Sequence, residues 1–334
     1  MQKIKLSILD QSHIRRGSNA REAIAESSKL VQLADEWGYT RYWVSEHHNI
    51  SLLAGSTPEV LIAHLAGESK RIRLGSGGIM LPNHSALKVA ENFRMLETIF
   101  PGRIDLGIGR APGGDRVTAY LLNPSNNFSE KDFVQQLQDL QGFLTDHAEP
   151  GSVQEKVKAI PLADTVPALW ILTSSGGSSL FAAHFGMALS FAQFINPSGG
   201  PEAVAQYRQH FKPSAQLAEP QVSVGIFGFC SESEEKVKQW QAMFDYRLLR
   251  LEQVLTNGLP PIEEILKVKY SPAEQARIAF NRGRMVCGTP AQMQQQLQQL
   301  AAEYDADEIV ISTMTDDFED RIQSYRLLAT AFHL

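Results

Sequence analysis

The sequence predicts an α/β fold: one closed parallel barrel of eight strands wrapped by helices, (β/α)8, with an excursion before the last strand. Eight short β-branched or apolar runs recur along the 334 residues, with helical patterns behind them at a spacing of a few tens of residues. The Gly-x-Gly-x-x-Gly turn of an open dinucleotide-binding sheet is absent. Gly107-Ile108-Gly109 comes nearest, but it continues Arg110-Ala111-Pro112 and misses the third glycine.

Ile4–Leu9 is the first strand. Behind it, Ile24, Leu30, Val31, Ala34 and Trp37 recur along a helix over Ala20–Trp37 that Gly38 stops. Tyr42–Ser45 is the second strand, and Thr57-Pro58 supplies the N-cap and first-turn proline of a helix to about Ser69. Ile72–Ser76 with Leu87–Ile99, and Ile104–Ile108 with a helix near Phe133–Leu144, repeat the unit. A polar, proline-marked connection over 149–163 leads to strand five, Leu169–Thr173, and a helix from about Ser178 to His184. Met187–Phe191 is strand six. Val222–Phe229 is strand seven, backed by a long helix from Glu234 toward Leu255. Glu308–Ser312 is strand eight, closed by a helix near Asp320–Phe332. Between the last two strands lie an irregular stretch, 257–284, read as a mobile loop or insertion, and a helix start at Thr289-Pro290. The chain, 1–334, is thus expected to be one domain.

Composition narrows the function. A 43% hydrophobic, 20% charged chain builds a sizeable core, and 31 Lys plus Arg against 37 Asp plus Glu offer no basic face for nucleic acid. Cys230 and Cys287 stand far apart and outside any Cys-x-x-Cys spacing, as two buried thiols would. The amino terminus lacks the apolar run of a signal peptide, and no apolar stretch is long enough to span a bilayer. A cytoplasmic protein without nucleic-acid or membrane partners is expected.

In such a barrel the chemistry sits at the C-terminal ends of the strands. Strand two ends in Glu46-His47-His48-Asn49, where alternation turns one of the two imidazoles into the mouth. The same alternation sets the rings on opposite sides and disfavours a shared ion, so no metal site is expected; the histidines could also be polar residues of the rim. Strand three ends in Gly75-Ser76-Gly77-Gly78, which lets backbone approach a flat ligand or simply makes a tight turn. Strand four ends at Arg110, a permanent cation for a phosphate or the partner of Asp105 or Asp115 in a surface ion pair. Strand five ends in Thr173-Ser174-Ser175-Gly176-Gly177-Ser178-Ser179, an anion site at a helix N-terminus or a flexible linker. Together these ends describe a site for a planar phosphorylated cofactor, and flavin mononucleotide (FMN) fits. Pyridoxal phosphate would want a lysine at a strand end, where none is evident.

With the runs Trp43–Asn49, Arg71–His84 and Pro101–Arg110 in this order, the chain resembles the bacterial luciferase-like family of flavin-dependent monooxygenases across essentially its whole length. Leu9-Asp10-Gln11-Ser12 and Gly288-Thr289-Pro290 are similar to a subgroup of luciferase-like oxidoreductases rather than to the light-emitting enzymes. The resemblance implies a homodimeric TIM barrel that takes reduced FMN from a separate flavin reductase. It implies oxygen trapped as a flavin C4a-hydroperoxide, which oxidises a small organic substrate. Residue by residue, it implies a catalytic His47 with Glu46 beside it, a cis Gly77–Gly78 peptide against the flavin ring, and Arg110, Ser175 and Ser178 on the phosphate. Gly176 belongs to the same turn, and Ser174 stands where the light-emitting enzymes carry an acidic residue, so the flavin contact there is altered. The stretch 257–284 falls where the family has a loop over the active site, without a match in sequence. Two rival readings are an F420-dependent oxidoreductase on the same fold and a flavin-binding partner subunit without chemistry. A metal-dependent barrel hydrolase would need further ligands at later strand ends.

Overall fold

The computed structural model describes residues 4–147, 150–252 and 259–334. Among these, nine strands form one all-parallel sheet: β1 (Lys5–Asp10), β2 (Arg41–Val44), β3 (Arg73–Met80), β4 (Ile104–Gly109), β5 (Ala168–Thr173), β6 (Ala188–Ala192), β7 (Val222–Cys230), β8 (Met285–Gly288) and β9 (Glu308–Ser312). Strands β1 to β7 pair in sequence, and β9 pairs with both β7 and β1, which closes an eight-stranded barrel. The ninth strand stands outside the closure. The first part of β7 pairs with β9 over Ser223–Phe227, while Phe227–Cys230 runs past the barrel and takes β8 as its partner.

The helices that ring this barrel begin with α1 (Ala20–Trp37), α2 (Pro58–Gly67), α3 (Ala86–Ile99), α4 (Arg116–Leu122), α5 (Glu130–Thr145) and α6 (Ser179–Phe185). They continue with α7 (Gly200–His210), α8 (Glu234–Glu252), α9 (Ile262–Ile265), α10 (Pro272–Asn281), α11 (Pro290–Glu303) and α12 (Phe318–Phe332). The first shows why the sequence pattern is reliable here. Asn19 caps α1 by accepting the Glu22 N–H, Gly38 ends it at φ 89°, and Leu30, Val31 and Ala34 are buried against the sheet. No helix among the described residues is long and apolar enough to cross a membrane.

The eight barrel strands are those expected, within a few residues at each end. Three expectations need correction. Strand three does not stop at its glycine pair but continues to Met80, with a register shift against β4 between Gly77 and Ile79. The stretch 257–284 is not irregular: residues 257 and 258 lie outside the described residues, but α9, α10 and a short 3-10 turn at Arg282–Arg284 follow. Ser271 and Glu274 form a reciprocal capping box at the start of α10, with Pro272 at its first position, so local signals do start a helix here. The sequence pattern does not mark strand β8 or helices α4 and α7; β8 pairs with the far end of β7 and so falls outside the repeat of barrel strands.

Alternation splits the core into two shells. Leu6 and Ile8 pack outward in the large cluster shared with the helices, whereas Leu9, Trp43, Trp170, Ala188 and Val310 form a separate cluster inside the barrel. Below this layer, Arg41 pairs with Asp105 at 2.7 Å and Glu308 at 2.7 Å, and its guanidinium lies 4.6 Å from the Trp170 ring centre. Trp43 Nε1 donates to Asp105 Oδ2 at 3.0 Å, locking the two layers together. This plug is the floor on which the functional site rests.

Candidate active site

Above that floor, the ends of β1 to β6 enclose a cavity of about 310 Å³. Its lining includes His47, Gly77, Arg110, Ser174, Ser175 and Ser178, so six of the nine residues singled out in the sequence converge on one space. Glu46, Gly78 and Gly176 are not part of the lining.

His47 reaches the cavity from the loop after β2. Its backbone N–H donates to the Gly55 carbonyl at 2.9 Å, and Ser45 Oγ lies 3.1 Å from its Nδ1. No described residue hydrogen-bonds Nε2. Burial lowers the proton affinity of the ring and nearby His48 adds to this, while the charge of Glu46 opposes it; the net effect holds His47 below its ordinary 6.5 and neutral at pH 7.

Glu46 points the other way. Its fully buried carboxylate accepts from the Met80 N–H at 2.8 Å, His48 Nε2 at 2.8 Å, His84 Nε2 at 2.9 Å and Asn83 Nδ2 at 3.3 Å. Burial penalises this charge, but the bonds from His84, His48 and Met80 outweigh it and keep Glu46 below the usual carboxylate value. Burial likewise disfavours protonation of His84, yet its bond to Glu46 and the charge there raise it above 6.5. Glu46 is thus the hub that fastens the end of β2 to the turn after β3, and His47 is its neighbour on the cavity side. The two adjacent imidazoles divide as alternation predicts, one to the cavity and one to the carboxylate.

Arg110 sits against the serine–glycine turn: a Cβ placed on Gly177 would lie 4.0 Å from its Nη2. The two alternative partners considered for it are otherwise engaged. Asp105 is in the barrel interior with Arg41 and Arg73, and Asp115 caps α4 through the Val117 and Thr118 N–H groups. Arg110 instead makes a loose, exposed pair with Glu130 at 3.4 Å. The turn itself is ordered by its own bonds rather than being a linker. The Gly176 carbonyl accepts from Ser179 N and Oγ, Gly176 has φ +77°, and Asn196 Nδ2 holds the Ser174 carbonyl at 2.9 Å.

The Gly77–Gly78 peptide is cis. A Cβ on Gly78 would meet the Gly107 carbonyl oxygen of β4 at 2.7 Å and the cavity-lining Leu172 Cδ1 at 2.8 Å, so this glycine is demanded first by strand contact. One on Gly77 would meet Leu9 Cδ1 at 2.9 Å and Trp43 at 3.0 Å, the floor residues. Sequence reasoning missed several lining residues: Gln11, Met80, Leu172, Phe194 and Ile195. Gln11 and Leu172 could have been found from their place at strand ends. Phe194 could not, since it belongs to the loop after β6, held by Arg284 Nε at 2.7 Å from its carbonyl.

The site therefore has a cationic and hydroxyl-bearing end on the β4–β5 side, a neutral imidazole on the β2 side, and an apolar floor between them. Among the described residues no group of three or more His, Cys, Asp or Glu is placed to hold a metal ion.

The chain is similar to known proteins along nearly its whole length. YwcH of Bacillus subtilis (strain 168) is 47% identical over 330 residues, covering 98% of this chain and 99% of the relative. The N-acetyl-S-alkylcysteine monooxygenase of the same organism is 33% identical, covering 98% of each chain. The crystal structure of apo-MsnO8 superposes with a TM-score of 0.91 at 35% identity, covering 99% of both chains. Two more distant structures share the barrel. One is the oxygenating constituent of 3,6-diketocamphane monooxygenase from Pseudomonas putida in complex with FMN, at 17% identity, TM-score 0.68, 98% of this chain and 97% of that one. The other is an F420-dependent secondary alcohol dehydrogenase, at 10% identity, TM-score 0.70, 99% of both. The family model described as luciferase-like monooxygenase matches residues 4–307, and on that match and these relatives the chain belongs to the luciferase-like monooxygenase family.

Proposed function

We propose that the cavity binds FMN and that the chain is the oxygenating component of a two-component monooxygenase acting on a small organic substrate. The observation that carries this reading is the convergence of Arg110, Ser174, Ser175 and Ser178 at one end of the cavity that His47 also lines. A guanidinium fork and serine hydroxyls suit a phosphate, and the apolar floor at Leu9, Gly77 and Leu172 suits a flat ring, so the residues present fit the cofactor.

Reduced flavin, when bound, would supply the activation of molecular oxygen, with its electrons delivered by a separate flavin reductase. Arg110 and the serines hold the phosphate, and Ser174, lacking a charge, adds no repulsion there. His47, kept neutral, accepts or holds a proton at Nε2 next to the reacting atoms. Glu46 is a positioning residue, because it reaches the site through the backbone it shares with His47 and through Met80, whose N–H it accepts. The apolar walls keep water from the reaction. The relative named for N-acetyl-S-alkylcysteines favours an oxidisable sulfur as the reacting atom. The whole chain, 1–334, works as one unit in the cytoplasm. Exposed Met95 and Ile99, one turn apart on α3, and Val60 on α2 support a homodimer.

The test supplies the protein with FMN, a flavin reductase and labelled dioxygen over a panel of thioethers. The expected product carries one labelled oxygen and requires this chain. Tight binding of F420 without binding of FMN would replace this reading by that of a deazaflavin oxidoreductase.

A further inference from the structure

Four arginines gather where the chain leaves β1 and β9 and meets α8, on the side of the barrel away from β4 and β5. Three have a carboxylate each: Arg321 pairs with Asp10 at 2.8 Å, Arg16 with Asp316 at 3.6 Å, and Arg15 with Glu26. Arg247, on α8, has none within ion-pair distance among the described residues. Its Nη1 faces the Met314 sulfur at 3.2 Å, its Nη2 faces His13 Nε2, and its Nε has no partner among the described residues. A thioether is a weak acceptor, and neither it nor a neutral imidazole brings a negative charge to the guanidinium.

His13 cannot supply the missing charge. Burial first, and then the arginines around it, push its proton affinity down to about 3, so it is neutral. Burial also pulls Arg247 down to about 10, with Asp316 opposing from a distance. A planar five-donor fork held in place without an anion is an arrangement that a carboxylate completes in bidentate fashion. Both His13 and Arg247 are half-buried.

The cluster adjoins the cavity. Gln11, two residues before His13, lines it, and so does Phe194. The Phe194 ring packs on Phe227 at 5.3 Å, Phe227 on Phe244 at 4.9 Å, and Arg247 stands 5.9 Å from the Phe244 ring centre. Arg247 itself does not line the cavity, and two packed rings lie between it and Phe194; the strand order sets the cluster, past the ends of β1 and β9, across the barrel from Arg110 at the end of β4.

We infer that Arg247, with His13 beside it, receives a carboxylate carried by the substrate and so selects anionic over neutral substrates. This rests on the monooxygenase reading for the word substrate, and it names the chemical class that reading leaves open. Arg110 and Arg247 would then divide the two anions of the ternary complex, cofactor phosphate and substrate carboxylate, between opposite sides of the mouth.

The test uses calorimetry with acid–amide pairs of thioethers, (benzylthio)acetate with (benzylthio)acetamide and 4-(methylthio)butanoate with its amide, on the full chain with and without FMN. The expected result is that at least one acid binds about tenfold or more tightly than its amide. Arg247→Met abolishes that preference, Arg247→Lys keeps part of it, and FMN affinity is unchanged in both. Equal binding of acid and amide by the wild-type chain in every pair overturns the inference, as does an acid preference that survives in Arg247→Met. The wild-type comparison decides even if the methionine variant does not fold. Binding needs no turnover, so acid selectivity without any flavin binding would sink the monooxygenase reading and leave the anion site standing.

Discussion

Glu46 accepts a hydrogen bond from His84 Nε2 at 2.9 Å behind the wall from which His47 faces the cavity. The pair joins two segments that have no local reason to meet, the end of β2 and the turn after β3, and it sets the position of the one imidazole that reaches the site. Charge is stored out of reach of the cavity, while the residue exposed to it is left neutral.

Replacing Glu46 with Gln should therefore cost stability in a pH-dependent way. Glu46 lies below its ordinary 4.5, so its contribution is complete above that value and is lost as pH falls through the folded-state value. His84 lies above its ordinary 6.5, so its contribution is complete below 6.5 and is lost as pH rises through the folded-state value. Denaturant unfolding of wild type and Glu46→Gln should differ by about 1–3 kcal/mol near pH 5–6, with the gap closing on both sides. A difference that does not change with pH would contradict the pairing.

His47→Ala should leave FMN affinity near that of wild type and lower turnover by about a hundredfold or more. Because burial keeps the His47 proton affinity below 6.5, the wild-type rate should fall only on the acid side of that value, and this limb should vanish in the variant. Unchanged product formation from reduced flavin in His47→Ala would remove the residue from the reaction.

How much of this could be read from sequence depends on how local each cause is. The strands announce themselves because Leu6 and Ile8 alternate with Ser7 and Leu9, and the cavity follows because strand ends carry Arg110, Ser174 and Ser175. His84 stayed unassigned because only the fold brings it, 38 positions from Glu46, against the same carboxylate. Gly77 and Gly78 read as one ligand-facing pair because sequence shows two identical residues. In space Gly77 stands against Leu9 and Trp43, and Gly78 against the backbone of β4 and Leu172. Arg247 gave no signal, since an arginine on a long amphipathic helix reads as a solvated face until its neighbours are known to be Met314 and His13.

Arg110→Ala should weaken FMN by about tenfold or more while barely affecting riboflavin, which has no phosphate for the guanidinium to hold. Glu130 competes for the same fork at 3.4 Å, so Glu130→Gln should tighten FMN slightly and leave riboflavin unchanged. Fluorescence titration of both flavins measures this. Equal weakening of both by Arg110→Ala would place the phosphate elsewhere.

The two glycines of β3 should respond differently to the same added methyl group. On Gly78 it would meet a backbone carbonyl oxygen at 2.7 Å, so β3 and β4 must part, and Gly78→Ala should cost about 2 kcal/mol or more of stability. On Gly77 it would meet Leu9 Cδ1 at 2.9 Å and Trp43 Cε3 at 3.0 Å; buried Trp43 is held by Asp105, but the end of Leu9 can yield, into the cavity it lines. Gly77→Ala should thus lose less stability and more flavin affinity than Gly78→Ala. Urea unfolding and FMN titration of the two variants give both quantities, and the reverse order would mean that Gly78, not Gly77, faces the cofactor.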